Sequence, residues 1–155
     1  MVQNMPSLDL AYEAARDSYE MVARWSDSID TKIIAVFSAA SLLIGLLATL
    51  GGVKPEWHYA FIIFCVATAS FVTTVFFCWK GFRTKTFMMG NNPRKLLEQY
   101  APRDPSDAKW YLLKYAGQHY EHNLQVLRQK SSALQKATWF VGGEILLLLA
   151  WLIVS

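Results

Sequence analysis

Three long apolar blocks alternate with polar, helix-periodic segments along the chain. The blocks cover 33–53, 57–79 and 137–155, and the first two contain no charged residue. A helix needs about 20 mostly apolar residues to cross a hydrocarbon core about 30 Å thick, because each residue rises about 1.5 Å. The first two blocks meet this requirement comfortably, and the third, which is shorter and contains Glu144, meets it narrowly. The pattern therefore predicts three membrane spans.

A polar segment with helical periodicity precedes the first span. Its apolar side chains recur at alternating spacings of three and four residues, which places them on one helix face, while its acidic residues lie off that face. No Gly or Pro separates the segment from the span, so a helix over 7–32 is predicted to run directly into the span at 33–53. The face consists of Leu8, Tyr12, Ala15, Tyr19, Val22, Ser26 and Ile29.

The segment before the third span repeats this arrangement. Helices are predicted over 80–136, interrupted by Gly90–Pro93 and by a proline-containing loop after which Ser106 is a candidate N-cap. The last of these helices continues into the span at 137–155 without a break. Its apolar stripe comprises Trp110, Leu113, Gly117, Tyr120, Leu124, Leu127, Ser131, Leu134 and Thr138. Within the stripe, Leu113, Tyr120, Leu124, Leu127 and Leu134 are predicted to mediate oligomerisation.

The distribution of basic residues predicts the orientation. Of 15 Lys and Arg, 3 precede the first span, 1 lies between the first two spans and 11 lie between the second and third. Cytoplasmic loops are the ones rich in Lys and Arg, so the N-terminus and 80–136 are predicted to be cytoplasmic and the C-terminus periplasmic or extracellular. The same bias explains the basic residues without nucleic-acid binding. No signal peptide is expected, because the first apolar block follows 32 polar or amphipathic residues.

The predicted fold class is therefore an all-α membrane protein with three transmembrane helices and long cytoplasmic helical extensions that form a stalk. The chain forms a single membrane domain over 1–155. Both extensions reach the membrane from the cytoplasm with their N-termini first, so they must run parallel, in a stalk about 35–45 Å tall at about 1.5 Å per residue. A flexible joint between stalk and membrane is absent from this arrangement, so movement of the stalk must reach the spans.

Small residues line one face of each of the first two spans and favour close helix packing. Gly51, Gly52 and Pro55 form a tight link that makes these spans an antiparallel hairpin. Cys65 and Cys78 are about 20 Å apart on the second span, too far for a disulfide between them. The small residues are Ser38, Ser41, Gly45, Ala48 and Gly52 on the first span and Ala60, Ala67, Ser70 and Thr74 on the second.

Glu144 is the most informative candidate site residue. A charge near the middle of a span costs about 3 kcal/mol or more, and such residues usually face a protein interior or an aqueous path. Glu144 is either a pore-lining or gating carboxylate, or a structural group that pairs with Lys32 or is protonated. Asp27, Asp30 and Lys32 at the start of the first span are either a ligand-sensing site or interfacial charges, and the second interpretation is favoured.

Metal binding and catalysis have little support in the sequence. His119 and His122 lie one helical turn apart, but both point away from the apolar stripe and no second ligand pair accompanies them. Phosphate-binding glycine loops and nucleophile–base motifs are absent. We therefore expect no enzyme activity, no cofactor and no metal.

Two segments resemble a known family. The motif D-T-K at Asp30–Lys32 precedes a span rich in small residues, and HYEHNLQVLRQKSSALQKATWFVGGEILL carries an Asn and then a Lys on a helix that enters the last span. This pattern resembles the Pycsar effector domain and the related SLATT-like small transmembrane effectors of bacterial antiphage defence. The matching positions are Asp30, Lys32, Asn123 and Lys130, and the resemblance covers nearly the whole chain.

The resemblance implies an inner-membrane protein that oligomerises and disrupts the membrane when a signal arrives. Nothing in the sequence resembles a cyclic-nucleotide-binding domain, so a sensor would be a separate protein or a nucleotide site formed by oligomerisation. The expected partners are therefore membrane lipids, further copies of the chain, and a sensor protein or nucleotide second messenger. The alternative is a structural membrane scaffold, or a holin-like lesion-forming protein without regulated channel activity.

Overall fold

The computed structural model describes residues 6–50, 58–83 and 104–154, all of them α-helical except Asp104. Helix α1 spans Pro6–Leu50, α2 spans His58–Arg83 and α3 spans Pro105–Val154. This part of the chain contains no strand, and each helix includes a stretch long and apolar enough to cross a membrane. An all-α fold with three candidate spans is therefore confirmed for the described residues.

Helices α1 and α3 pass from polar to apolar sequence without a break. They contain 45 and 50 residues, which confirms that each polar segment continues into an apolar block as one helix. Helix α3 begins at Pro105, a residue suited to the first helical position because its missing amide hydrogen leaves no donor unpaired. The Ala108 amide donates to the Asp104 carbonyl at 3.0 Å. Ser106, predicted as the N-cap, therefore lies inside the helix.

Some predicted features lie outside the described residues. They are the link over 51–57 with its small residue Gly52, the break at Gly90–Pro93 and the short helix that follows that break. The extension of α2 beyond the second span is confirmed as far as Arg83. Lys80 and Arg83 occupy its last turn, where positive charge stabilises the negative end of the helix dipole.

The chain divides into two compact units. The first comprises 1–26 and 85–128, and the second comprises 27–84 and 129–155. Helices α1 and α3 contribute residues to both units, whereas α2 belongs to the second unit alone. The predicted single domain and cytoplasmic stalk stay predictions.

In the first unit, the predicted apolar face of α1 is confirmed. Val22 and Ser26 are buried, and the earlier members of the face are half-buried while the acidic residues between them are exposed. From α3, Asn123, Val126 and Leu127 are buried. Lys109 forms an ion pair with Asp9 at the surface of this unit.

In the second unit, all three helices pack together. Ile33, Cys78 and Ala137, one residue from each helix, form the buried cluster at its centre. Helix α2 runs antiparallel to α3, since Gly81 lies near Ala133 while Thr74, seven residues earlier, meets Glu144. Helix α1 runs parallel to α3, because Asp30 contacts Lys130 and Ile33 packs with Ala137. The parallel arrangement of the two long helices, predicted from topology alone, is thus confirmed in this unit.

Buried residues recur every seven positions on each helix of this unit. A seven-residue repeat is characteristic of helices that pack at small crossing angles, as in left-handed coiled coils. Small side chains at these positions allow close approach, and the tightest point is Gly81, where a Cβ would lie 2.8 Å from Ile33 Cδ1. The repeat consists of Ile33, Ala40 and Leu47 on α1, Ala67, Thr74 and Gly81 on α2, and Lys130, Ala137 and Glu144 on α3.

The predicted stripe on α3 is displaced from the face that is buried. Trp110, Gly117, Ser131 and Thr138 are exposed, and the buried line passes through Asn123, Lys130, Ala137 and Glu144. The stripe lies one position after the buried line, since Leu124, Ser131 and Thr138 follow Asn123, Lys130 and Ala137. Three polar side chains face inward here, and they move the buried face by about a quarter of a turn, since successive residues are about 100° apart.

Candidate intramembrane polar site

The Glu144 carboxyl is buried between α2 and α3. The residue is 3% exposed and its neighbour Thr74 is 0% exposed. Thr74 Oγ1 lies 3.1 Å from Glu144 Oε1 and 3.1 Å from the Ser70 backbone oxygen. Glu144 Oε2 is buried with no hydrogen-bond partner in the described part of the chain. One carboxyl oxygen is therefore held by α2 and the other has no donor.

A second hydrogen bond joins the same two helices one turn away. The Ser70 hydroxyl donates to the backbone oxygen of Phe140 at 3.2 Å. The Phe140 ring stacks on Phe77 with centroids 5.8 Å apart, and Lys136 Nζ lies 5.6 Å from the Phe77 ring centroid. Apolar and polar contacts thus fix α3 against α2 in the two turns that precede Glu144.

Lys32, suggested above as the structural partner of Glu144, is exposed. The group that contacts Glu144 is Thr74, so the Lys32–Glu144 pair does not form. Position explains the difference, because Lys32 lies at the start of the apolar block of α1 whereas Glu144 lies two turns inside that of α3. A lysine at this location keeps its ammonium in water by extending along the helix surface.

Among the described residues of the second unit, Lys130 is the buried cation. Its Nζ donates to both Asp30 oxygens at 2.8 Å, and the two side chains are 10% and 33% exposed. Such a pair is strongly coupled, because removal of one partner leaves the other desolvated and uncompensated. Two of the four positions in the family-like pattern, Asp30 and Lys130, are therefore in direct contact.

The remaining candidate residues occupy different environments. Asp27 is exposed and its carbonyl accepts a bond from Thr31 at 2.9 Å, as expected of a solvated charge at a helix surface. Asn123, another family-like position, is fully buried in the first unit. His119 and His122 are half-buried, and the described residues contain no cluster of three side chains suited to a metal ion.

The predicted oligomerisation residues divide into two groups. Leu127 is 8% exposed, so its side chain is already covered by contacts within the first unit. The others, Leu113, Tyr120, Leu124 and Leu134, are half-buried and keep surface for a partner. In the second unit, an open groove of about 500 Å³ runs along this side of α3 and is lined by Ser131, Leu134, Gln135, Thr138 and Trp139.

The two predicted small-residue faces also differ. On α2, Ala67 and Thr74 are buried and Ser70 is half-buried, so this face packs within the chain. On α1, Ser38, Gly45 and Ala48 are exposed, and a Cβ at Gly45 would meet nothing within 4 Å. The α1 face is therefore free for lipid or another copy of the chain.

A signal that pattern analysis missed was present in the sequence. Asn123, Lys130 and Glu144 fall at multiples of seven residues, and Ala137 occupies the intervening position. Polar residues on a seven-residue register are candidates for one buried line, because that register keeps them on the same side of a packed helix.

Comparison of the chain with protein-family models, curated proteins and solved structures found no match. The proposals therefore rest on the residues and contacts described above, together with the sequence resemblance at Asp30, Lys32, Asn123 and Lys130.

Proposed function

We propose that this chain is a membrane effector that oligomerises in the bacterial inner membrane and permeabilises it in response to a defence signal. The observation that carries the proposal is the burial of Glu144 inside the third candidate span, on the same line of α3 as the buried Lys130 that precedes the span. Ionisable side chains inside membrane helices are costly, and those that persist mostly serve ion or proton pathways. In a purely structural bundle such groups bring no general advantage, because replacement of buried ion pairs by apolar side chains is often neutral or stabilising.

The contacts of this polar line support a closed resting state. Glu144 is covered by α2 through Thr74, and Lys130 is covered by α1 through Asp30. Rotation of α3, or its separation from α2, would expose the polar line to water or to the same line on other copies. The proposed activation is therefore a change in the packing of α3 against its two neighbours.

The length of the helices supports a mechanical link to a signal. At about 1.5 Å per residue, α1 and α3 are about 68 Å and 75 Å long, whereas a hydrocarbon core is about 30 Å thick. In the proposed orientation the excess of each helix lies in the cytoplasm and forms the stalk. A sensor protein or a nucleotide second messenger that moves the stalk would move the spans, because each helix continues without a linker.

The outer surface of the bundle supports an assembly surrounded by lipid. Only 17%, 17% and 22% of the residues in the three most apolar windows are buried, so most of that surface needs lipid or protein. We assign the groove on α3 and the half-buried Leu113, Tyr120, Leu124 and Leu134 to contacts between copies. We assign the other exposed apolar residues to contacts with lipid.

Induced expression in bacteria that carry a voltage-sensitive dye tests this function, with and without the genes that neighbour this one. A regulated effector depolarises the membrane only when its signal is present, and Glu144→Gln changes toxicity or ion preference while expression and assembly persist. A scaffold inserts without depolarisation under any condition. A holin-like protein depolarises the membrane without a signal.

A further inference from the structure

The hydroxyl of Thr74 stands between two oxygen atoms. Its Oγ1 is 3.1 Å from the Ser70 backbone oxygen and 3.1 Å from Glu144 Oε1. A threonine hydroxyl has one hydrogen to donate and two lone pairs with which to accept. It therefore donates to only one of these two oxygens. A hydrogen bond in the other contact requires that the partner oxygen carry the hydrogen, and only Glu144 Oε1 can do so.

Six other hydroxyls in the described helices show which oxygen a threonine prefers. Each of the six donates to the backbone oxygen four residues earlier, at 2.8–2.9 Å, whereas Thr49 donates to the Leu46 oxygen and Ser70 donates to the Phe140 oxygen on the neighbouring helix. The bond to the oxygen four residues earlier is the usual one for Ser and Thr inside helices. By the same geometry Thr74 donates to Ser70, and its lone pairs face Glu144. The hydroxyls that follow this pattern are those of Ser18, Thr31, Ser41, Thr68, Thr73 and Thr138.

The two forms of Glu144 fit this arrangement differently. An ionised carboxylate would place two acceptor oxygens in a buried site with at most one donor, because Oε2 has no partner. A neutral carboxylic acid with its hydrogen on Oε1 donates to Thr74 and leaves only an uncharged carbonyl oxygen without a partner. The second form satisfies both contacts of Thr74, and burial of an uncharged oxygen costs far less than burial of a charge.

We infer that Glu144 is a neutral carboxylic acid that donates a hydrogen bond to Thr74, and that this bond fastens α3 to α2 in the closed protein. The hydrogen bond between Glu144 and Thr74 can break and form again only if the carboxyl regains its proton. When α3 moves and water reaches the carboxyl, its proton can leave to water, and the resulting carboxylate cannot return to the dry site without regaining a proton.

Among the described residues, no charge that would favour the carboxylate lies against Glu144. From α2 the group that meets Glu144 is Thr74, and Cys78, one turn further along, is engaged with the backbone oxygen of Ile33 at 3.9 Å. From α1, the described residues 33–50 carry no charge. On α3 itself, Lys136 lies over the Phe77 ring, two turns away from Glu144.

Infrared difference spectroscopy of the full chain in lipid vesicles at neutral pH tests this inference. A neutral carboxyl has a C=O stretching band that is separate from the bands of ionised carboxylates. We expect one such band in the wild type and its loss in Glu144→Gln. Thr74→Val should shift the band to higher frequency because it removes the acceptor, and Thr74→Ser should restore the original position.

Thr73→Val is the matched control, since the Thr73 hydroxyl bonds only the Ala69 backbone oxygen. It should leave the band unchanged. Helix content measured on the same samples shows that each variant is folded. Absence of the band from folded wild type, or its persistence in Glu144→Gln, would overturn the inference. The inference stands apart from the proposed function, because the band reports the resting chain whether or not the membrane is ever permeabilised.

Discussion

Lys130 Nζ donates to both carboxylate oxygens of Asp30 at 2.8 Å, although 100 residues separate the two in the chain. The bonds tie α3 to α1 at the start of both apolar stretches. A second pair, Lys109 with Asp9, has the same separation in the first unit. The two pairs differ in exposure, which gives the first prediction its control.

Asp30→Asn should lower the free energy of unfolding by about 1–3 kcal/mol, because it leaves Lys130 largely buried without a counter-charge. Asp9→Asn removes the partner of Lys109 from a pair whose side chains are 64% and 41% exposed, and should cost less than about 1 kcal/mol. Chemical unfolding of both variants in detergent micelles checks the difference. Equal effects would show that the Asp30–Lys130 pair has no special part in packing.

Gly81→Ala should destabilise the second unit. The added Cβ would lie 2.8 Å from Ile33 Cδ1, so a fully buried side chain would have to move, at a cost of about 1–2 kcal/mol. Gly142→Ala is the control, since a Cβ at Gly142 meets nothing within 4 Å. The same unfolding measurement applies, and a Gly81→Ala protein as stable as Gly142→Ala would contradict the packing of α2 against α1.

Ser131→Trp should weaken self-association by filling the groove on α3 that we assign to a contact between copies. Gln129→Trp adds the same side chain at an exposed position outside the groove and should leave assembly unchanged. Crosslinking in native membranes measures the oligomer fraction. The groove assignment is wrong if both variants assemble like the wild type.

Patterns in the sequence were sufficient to predict part of the fold. The uncharged runs predicted the three candidate spans. The absence of breaks before Ile33 and Ala137 predicted that α1 and α3 are continuous helices. The parallel course of these helices followed from their shared direction of approach to the membrane. These features depend on local composition, which a single sequence displays directly.

The partners of the polar residues could not be predicted in the same way. Lys32 was the suggested partner of Glu144, yet Thr74 occupies that place. The choice depends on the rotation of each helix about its axis, which is set by tertiary packing. Asp30 and Lys130 were selected through a family-like pattern, and only the three-dimensional arrangement shows that they form a pair.

Cysteine labelling tests the orientation that the basic residues predict. With a membrane-impermeant maleimide applied to intact cells, Lys54→Cys should react and Lys95→Cys should be protected, because Lys/Arg-rich segments remain in the cytoplasm. The unmodified chain is the background control, since it contains Cys65 and Cys78. Labelling at position 95 from outside would reverse the orientation and remove the cytoplasmic stalk.

The central claim is that the chain permeabilises a membrane when the packing of α3 changes, and ion leakage from vesicles reconstituted with purified protein tests it most directly. Vesicles with the wild type or with Asp9→Asn should hold an ion gradient in the absence of a signal. Asp30→Asn, which removes the counter-charge of Lys130 on α3, should make the same vesicles leak. If Asp30→Asn inserts and assembles normally but the vesicles remain as tight as those with the wild type, the proposed link between the α3 contacts and permeation is contradicted.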